Sequence, residues 1–184
     1  MPARESRMLA LGTPAPDFIL PDSSGKYFGL RDFAGSKGLV VAFICNHCPY
    51  VKHIQGELVR LANDYQPRGV AFVAISSNDA TGYPEDAPDK MKEVALHLGY
   101  PFPYLYDETQ DVARTYRAAC TPDFYVFDGA LRLIYRGRLD EATPGNGKPN
   151  DGRDLRAALD AVLAGKPVSA DQKPSMGCNI KFRK

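Results

Sequence analysis

The sequence predicts an α/β domain built around a parallel strand–helix–strand crossover, and three neighbouring segments carry that expectation. Leu39-Val40-Val41-Ala42-Phe43-Ile44 is a continuous apolar run of strand length, as expected of a strand covered on both faces. After Pro49, the apolar positions Val51, Ile54, Leu58, Leu61, Ala62 and Tyr65 recur three or four apart, which marks one buried helical face with Lys52, Glu57, Arg60 and Asp64 turned to water. Val70 to Ile75 then repeats the strand pattern, so the two strands run parallel with a right-handed connection and the first is expected at the sheet centre.

The remaining elements follow in order. Leu11 to Leu30 places Gly12, Pro14, Pro16, Pro21 and Gly25 around Phe18-Ile19-Leu20 and Tyr27-Phe28, which predicts a short edge hairpin. Ser76 to Pro88 reads as a polar loop. Met91, Val94, Ala95 and Leu98 have helical spacing, and a smaller helix is expected around Val112, Ala113 and Tyr116. Phe124 to Phe127 and Leu131 to Tyr135 flank Asp128-Gly129, a hairpin signal. Leu155, Ala158, Leu159 and Val162 form a last amphipathic helix that stops near Gly165 and Pro167. The reading is one domain over 1–184, with an N-terminal extension (1–37), a core (38–164) and a C-terminal tail (165–184) closing over one side.

Composition narrows the function. With 44% hydrophobic residues in 184, the chain can bury a core, and 23 basic against 22 acidic residues leave +1, too little field to hold nucleic acid or an anionic membrane. Met1 to Leu11 holds Arg4, Glu5 and Arg7 and no apolar run of signal-peptide length, so a cytoplasmic protein is expected. In that compartment a conspicuous cysteine pair is more often catalytic, redox-sensing or metal-binding than a structural staple.

Cys45-Asn46-His47-Cys48 is that pair, at the passage from buried strand to helix. A helix N-terminus offers unpaired N–H groups and the positive end of the dipole, which favour a thiolate at Cys45. Cys48, one turn on, is spaced to attack a mixed disulfide on Cys45. A protonated His47 would stabilise the thiolate further; the alternative is a solvated turn residue. A half zinc site is the other reading of a C-x-x-C, with His47, His53, Cys120 and Cys178 as further ligands, but no second C-x-x-C or H-x₃-H accompanies it. Tyr-rich segments and Gly145-Asn146-Gly147-Lys148 suggest no cofactor box, so no cofactor beyond the cysteines is expected.

The chain resembles the thioredoxin superfamily, and more narrowly the soluble bacterial thioredoxin-like proteins that share an N-terminal region with peroxiredoxins and with the membrane-tethered thioredoxins of cytochrome maturation. The resemblance rests on Gly12-Thr13-Pro14-Ala15-Pro16-Asp17-Phe18, Leu30-Arg31-Asp32-Phe33-Ala34-Gly35, Cys45-Asn46-His47-Cys48-Pro49-Tyr50-Val51-Lys52, Thr121-Pro122 and Gly177-Cys178-Asn179-Ile180-Lys181. It implies a thioredoxin fold, a central mixed sheet flanked by helices with an N-terminal β-hairpin extension. It also implies a thiol-disulfide oxidoreductase with Cys45 as nucleophile and Cys48 resolving, acting on protein or low-molecular-weight disulfides with a separate electron donor. Pro122 would be a cis-proline, and the backbone at Thr121 would pair with an extended substrate.

Departures bound the resemblance. The chain has no Trp, and Val40 to Ile44 carries no acidic residue, so proton transfer falls to water, His47 or another acid. The peroxiredoxin pattern P-x-x-x-[TS]-x-x-C meets Gly38 and Ala42 ahead of Cys45, which disfavours a thiol peroxidase. Cys120 and Cys178 are either a second redox pair that exchanges with Cys45 or two small buried apolar residues.

Overall fold

The structure, a computed structural model, describes residues 2–184. In chain order the elements are β1 (Ala3–Glu5), β2 (Ile19–Pro21), β3 (Tyr27–Gly29), β4 (Gly38–Phe43), α1 (Pro49–Tyr65), β5 (Val70–Ser76), α2 (Pro88–Leu98), β6 (Tyr104–Tyr106), α3 (Asp111–Thr115), β7 (Cys120–Thr121), β8 (Asp123–Asp128), β9 (Leu133–Gly137), α4 (Arg153–Leu163) and β10 (Met176–Asn179).

The five-stranded sheet has the order β6-β5-β4-β8-β9, with β4, β5 and β6 parallel and β8 and β9 antiparallel, so β4 is central and the sheet is mixed as expected. All six residues of β4 are buried. Because successive side chains point to opposite faces, Val40 and Ala42 join one apolar cluster with α1, α2 and α4, while Leu39, Val41 and Phe43 join another beneath α3 and the β2–β3 hairpin. Helix α1 is held by this packing: burying Ile54, Leu58 and Leu61 contributes roughly 1.5–3 kcal/mol each, several times any difference in helix propensity.

Three details differ from the sequence reading. Glu57 is buried rather than turned to water, because its carboxylate accepts hydrogen bonds from Arg156 at 2.6 Å and Arg60 at 2.7 Å. Strand β9 begins at Leu133, since the Asp128 carboxylate accepts the N–H groups of Ala130 and Arg132 and draws the intervening residues into the turn. The N-terminus and tail contribute strands: β1, β10 and β7 form a second antiparallel sheet in that order. These strands span two to four residues and lack a period-2 pattern, so their ladder partners rather than their own sequence make them extended.

Candidate active site around the Cys45 and Cys48 sulfurs

Strand β4 delivers the chain into a loop, Ile44 to Cys48, that enters α1 at Pro49. Proline suits the first helical position, where its missing N–H costs nothing, and this makes Cys48 the N-cap. The sequence reading put Cys45 at the helix N-terminus; the structure gives that position to Cys48 and leaves Cys45 in the preceding loop. Both residues are buried, at 2% and 0% exposure, so Cys45 alone of the two retains a trace of solvent contact.

Each thiol alters the ionisation of the other, so their protons are lost in sequence rather than independently. The Cys45 thiol is the largest influence on Cys48, whose pKa is drawn down to about 4; burial opposes this, while the Cys178 thiol and the backbone at Val51 and Cys178 add to it. Cys45 is pushed up, first by the Cys48 thiol, then by burial and the Asp86 charge. Of the pair, Cys48 is therefore the thiol that gives up its proton more readily, whereas the sequence reading expected this of Cys45.

On the loop side, Asp86 lies under the pair in a short 3₁₀ turn, Pro84–Asp86, and is fully buried. Its Oδ1 accepts the backbone N–H of Asn46 at 2.7 Å and of His47 at 3.3 Å; its Oδ2 accepts Asn78 Nδ2 at 2.8 Å and meets His47 Nδ1 at 2.5 Å. Burial alone would raise the Asp86 pKa, but the bonds from His47, Asn78 and Asn46 hold it below its ordinary value. The bond to Asp86 in turn raises the pKa of His47. The imidazole also stacks on Tyr83, with centroids 5.3 Å apart and planes within 9°. His47 is thus a clamped side chain and not a solvated turn residue. Asn46 is locked in the same way, donating to Glu85 O at 2.9 Å and accepting from Tyr104 Oη at 2.8 Å.

On the strand side, the Thr121-Pro122 peptide is cis. Thr121 Oγ1 lies 3.5 Å from Cys45 Sγ, and Thr121 O accepts from the Cys48 thiol at 3.3 Å. The resemblance implied that the Thr121 backbone pairs with an extended substrate. In the structure β10 already pairs with that edge, with Cys178 opposite Thr121 and Asn179 opposite Cys120. What remains open beside Pro122 is a cleft of about 440 Å³ bordered by Tyr50, Ile54, Arg138, Ser175 and Met176.

The same register corrects the reading of Cys120 and Cys178 as a redox pair. Thr121 and Cys178 share one face of the small sheet, and Cys120 and Asn179 the other, so the two thiols point to opposite sides. Cys178 packs in the cluster that holds Cys45 and Cys48, whereas Cys120 hydrogen-bonds Pro122 O at 3.8 Å.

Asp86, Asn78 and Lys181 are site residues that the sequence reading missed. Asp86 brings a buried carboxylate to the cysteine loop, where Val40 to Ile44 carries none, but it comes from a polar loop whose pattern gives no sign that it folds under the cysteines. Lys181 N donates to Asn78 Oδ1 at 2.8 Å, tying the tail to the same network. Cys45, His47 and Asp86 also form a group of possible metal donors within 4.8 Å of one another. Both Asp86 oxygens already accept hydrogen bonds, so a metal would have to displace the His47 and Asn78 contacts that organise the loop.

Comparisons with known proteins place this geometry. The family model described as AhpC/TSA matches residues 11–136. The thiol-disulfide oxidoreductase ResA of Geobacillus thermodenitrificans is 28% identical over 137 residues, which cover 73% of this chain and 74% of that protein. A crystal structure of a conserved protein from Geobacillus kaustophilus superposes with a TM-score of 0.98 at 60% identity, over 100% of this chain and 97% of that one. A thiol:disulfide interchange protein of the thioredoxin family from Chlorobium tepidum, at 20% identity, shares the fold with a TM-score of 0.65 over 85% of this chain and 99% of its own. The thioredoxin fold implied by the sequence is therefore the fold observed.

Proposed function

The chain belongs to the AhpC/TSA family, and we propose that it is a thiol-disulfide oxidoreductase in which Cys45 and Cys48 exchange a dithiol for a disulfide with protein or low-molecular-weight disulfides. The observation that carries this reading is the placement of Cys45 and Cys48 together against the cis Thr121-Pro122 peptide, where Thr121 Oγ1 lies 3.5 Å from Cys45 Sγ and Thr121 O accepts from Cys48 at 3.3 Å, with the His47–Asp86 pair within 4.8 Å of Cys45. The relationship to the ResA oxidoreductase supports it.

Cys45, on the loop ahead of α1, attacks one sulfur of a substrate disulfide. The substrate S–S bond breaks, a Cys45 mixed disulfide forms, and the departing thiolate takes a proton from the His47 imidazolium that Asp86 sustains. Cys48, its thiolate favoured by the backbone around the α1 N-terminus, then attacks Cys45 Sγ and releases the second substrate thiol. Two electrons pass from the cysteines to the substrate; His47, left neutral by the first step, takes the Cys48 proton and hands it to the second departing thiolate. The cytoplasm is the compartment this reading assumes, because a reducing thiol pool would return the pair to the dithiol. Within the fold, no described helix is long and apolar enough to cross a membrane.

The deciding experiment is capture of the intermediate. Cys48→Ser, mixed with a disulfide substrate such as insulin, is expected to accumulate a mixed disulfide at Cys45, and wild-type protein to turn the same substrate over. Turnover retained in Cys45→Ser would overturn the reading.

A further inference from the structure

Cys178 is a buried thiol that the exchange so far leaves unused, yet its setting is built with care. Gly177, the residue before it, lies so close to the Thr121-Pro122 peptide that any Cβ would collide with Thr121 O and crowd Pro122 N. Strand β10 therefore docks by direct backbone contact. It is pinned on both sides: Ser175 Oγ donates to Pro122 O at 2.5 Å, Ile180 N donates to Ala119 O at 3.0 Å, and Gln110 Nε2 donates to Lys181 O at 2.8 Å. The anchored strand holds Cys178 on the face of the small sheet that looks toward α1, where it packs in one cluster with Cys45 and Cys48. Thr121 links the three cysteines: its Oγ1 lies 3.5 Å from Cys45 Sγ, its carbonyl accepts from the Cys48 thiol at 3.3 Å, and Cys178 is its partner across the ladder.

We propose that Cys178 is a third exchanging thiol, which attacks Cys48 Sγ of the Cys45–Cys48 disulfide to form a Cys48–Cys178 disulfide and release Cys45. The step rests on the Cys45–Cys48 exchange above and needs no oxidant. One S–S bond forms as another breaks, Cys48 remains oxidised, Cys178 is oxidised and Cys45 reduced. The proton that Cys178 gives up goes to the Cys45 thiolate, directly or through His47. The consequence is that the oxidising equivalent moves from the loop to β10, and Cys45 is restored as a thiol while the protein is still oxidised.

The test is peptide mapping of the full-length protein after equilibration with mixed reduced and oxidised glutathione and alkylation of the remaining thiols. In Cys45→Ser, the Cys48–Cys178 linked peptide is expected to exceed glutathionylated Cys48 at least about tenfold, because the internal thiol acts at a high effective concentration. Cys120 should be alkylated throughout. Cys48 recovered as the glutathione adduct with Cys178 alkylated would overturn the proposal. Wild-type protein provides an arm free of substitution: each Cys178 protected from alkylation should be matched by a free Cys45, and Cys178 fully alkylated across the whole buffer series would also overturn it. The two readings separate, since a missing Cys45–Cys48 disulfide in the wild type sinks the parent exchange, whereas its presence with no Cys48–Cys178 product in either protein sinks only this step.

Discussion

The two sides of the Cys45–Cys48 pair solve different problems. On the loop side, Asp86, His47 and Asn78 form a polar network in which a buried carboxylate has its hydrogen bonds satisfied, and that network manages charge and protons. On the strand side, Thr121, Pro122, Gly177 and Cys178 meet through backbone contacts, and what is controlled there is position. The contrast teaches that a redox pair can be tuned electrically from one direction and held geometrically from the other. A change on one side should leave the other legible.

The largest effect should come from removing the element the two sides share. Cys45→Ser is expected to lower disulfide-reduction turnover by at least about a thousandfold, because it removes the thiol that opens the exchange. Stopped insulin-reduction traces would check it.

The strand side should answer next. Gly177→Ala places a methyl group against Thr121 O, and forcing the strand outward is expected to cost about 1–3 kcal/mol of stability in urea unfolding. An unchanged midpoint would show that β10 is not tightly docked.

The loop side gives a smaller and pH-resolved signal. Asp86→Asn removes the main cause of the raised His47 pKa, so the histidine titration followed by NMR should move to lower pH. The signs for the pair follow from linkage. The contribution of His47, whose folded pKa is raised, is full below its unfolded pKa and is lost as pH rises through the folded value. That of Asp86, whose folded pKa is depressed, is present above its unfolded pKa and is lost as pH falls through the folded value. Asp86→Asn should flatten both limbs of the stability profile.

An effect confined to one pH window concerns Asp123, which follows Pro122 and lies behind the strand side. Burial raises its pKa from the ordinary 3.8 to about 7, so the folded state binds more protons than the unfolded one between those values and stability falls as pH climbs through that window. Asp123→Asn, which removes the charge, is expected to raise thermal stability at pH 8 relative to wild type and to leave it nearly unchanged at pH 4.

How far each side could be read in advance follows the range of its contacts. The β4–α1–β5 unit and the Cys45-Asn46-His47-Cys48 segment announce themselves because periodic burial and cysteine spacing are local properties. The Asp128 turn is visible for the same reason, and only its last residues were assigned to the wrong element. Asp86 was hidden in a polar loop, since nothing within Ser76 to Pro88 distinguishes a carboxylate that folds under a histidine from one that faces water. Glu57 was misread because its partner Arg156 belongs to α4. The Gly177-Cys178 tail was noticed through resemblance, but its pairing with Thr121 was not.

Within the chain alone, hydrophobic period and residue chemistry were enough to specify an α/β sheet with β4 at its centre and a cysteine pair where a strand becomes a helix. Both are consequences of neighbours within a few residues, where backbone geometry leaves little choice. Folding assigned everything that depends on distant partners: the carboxylate that pairs with His47, the cap position of Cys48, and the register that sets Cys178 opposite Thr121 while turning Cys120 away. A one-residue slip of β10 would put Asn179 in place of Cys178, and it is the tight backbone seat at Gly177, with the hydrogen bonds on either side of it, that excludes the slip.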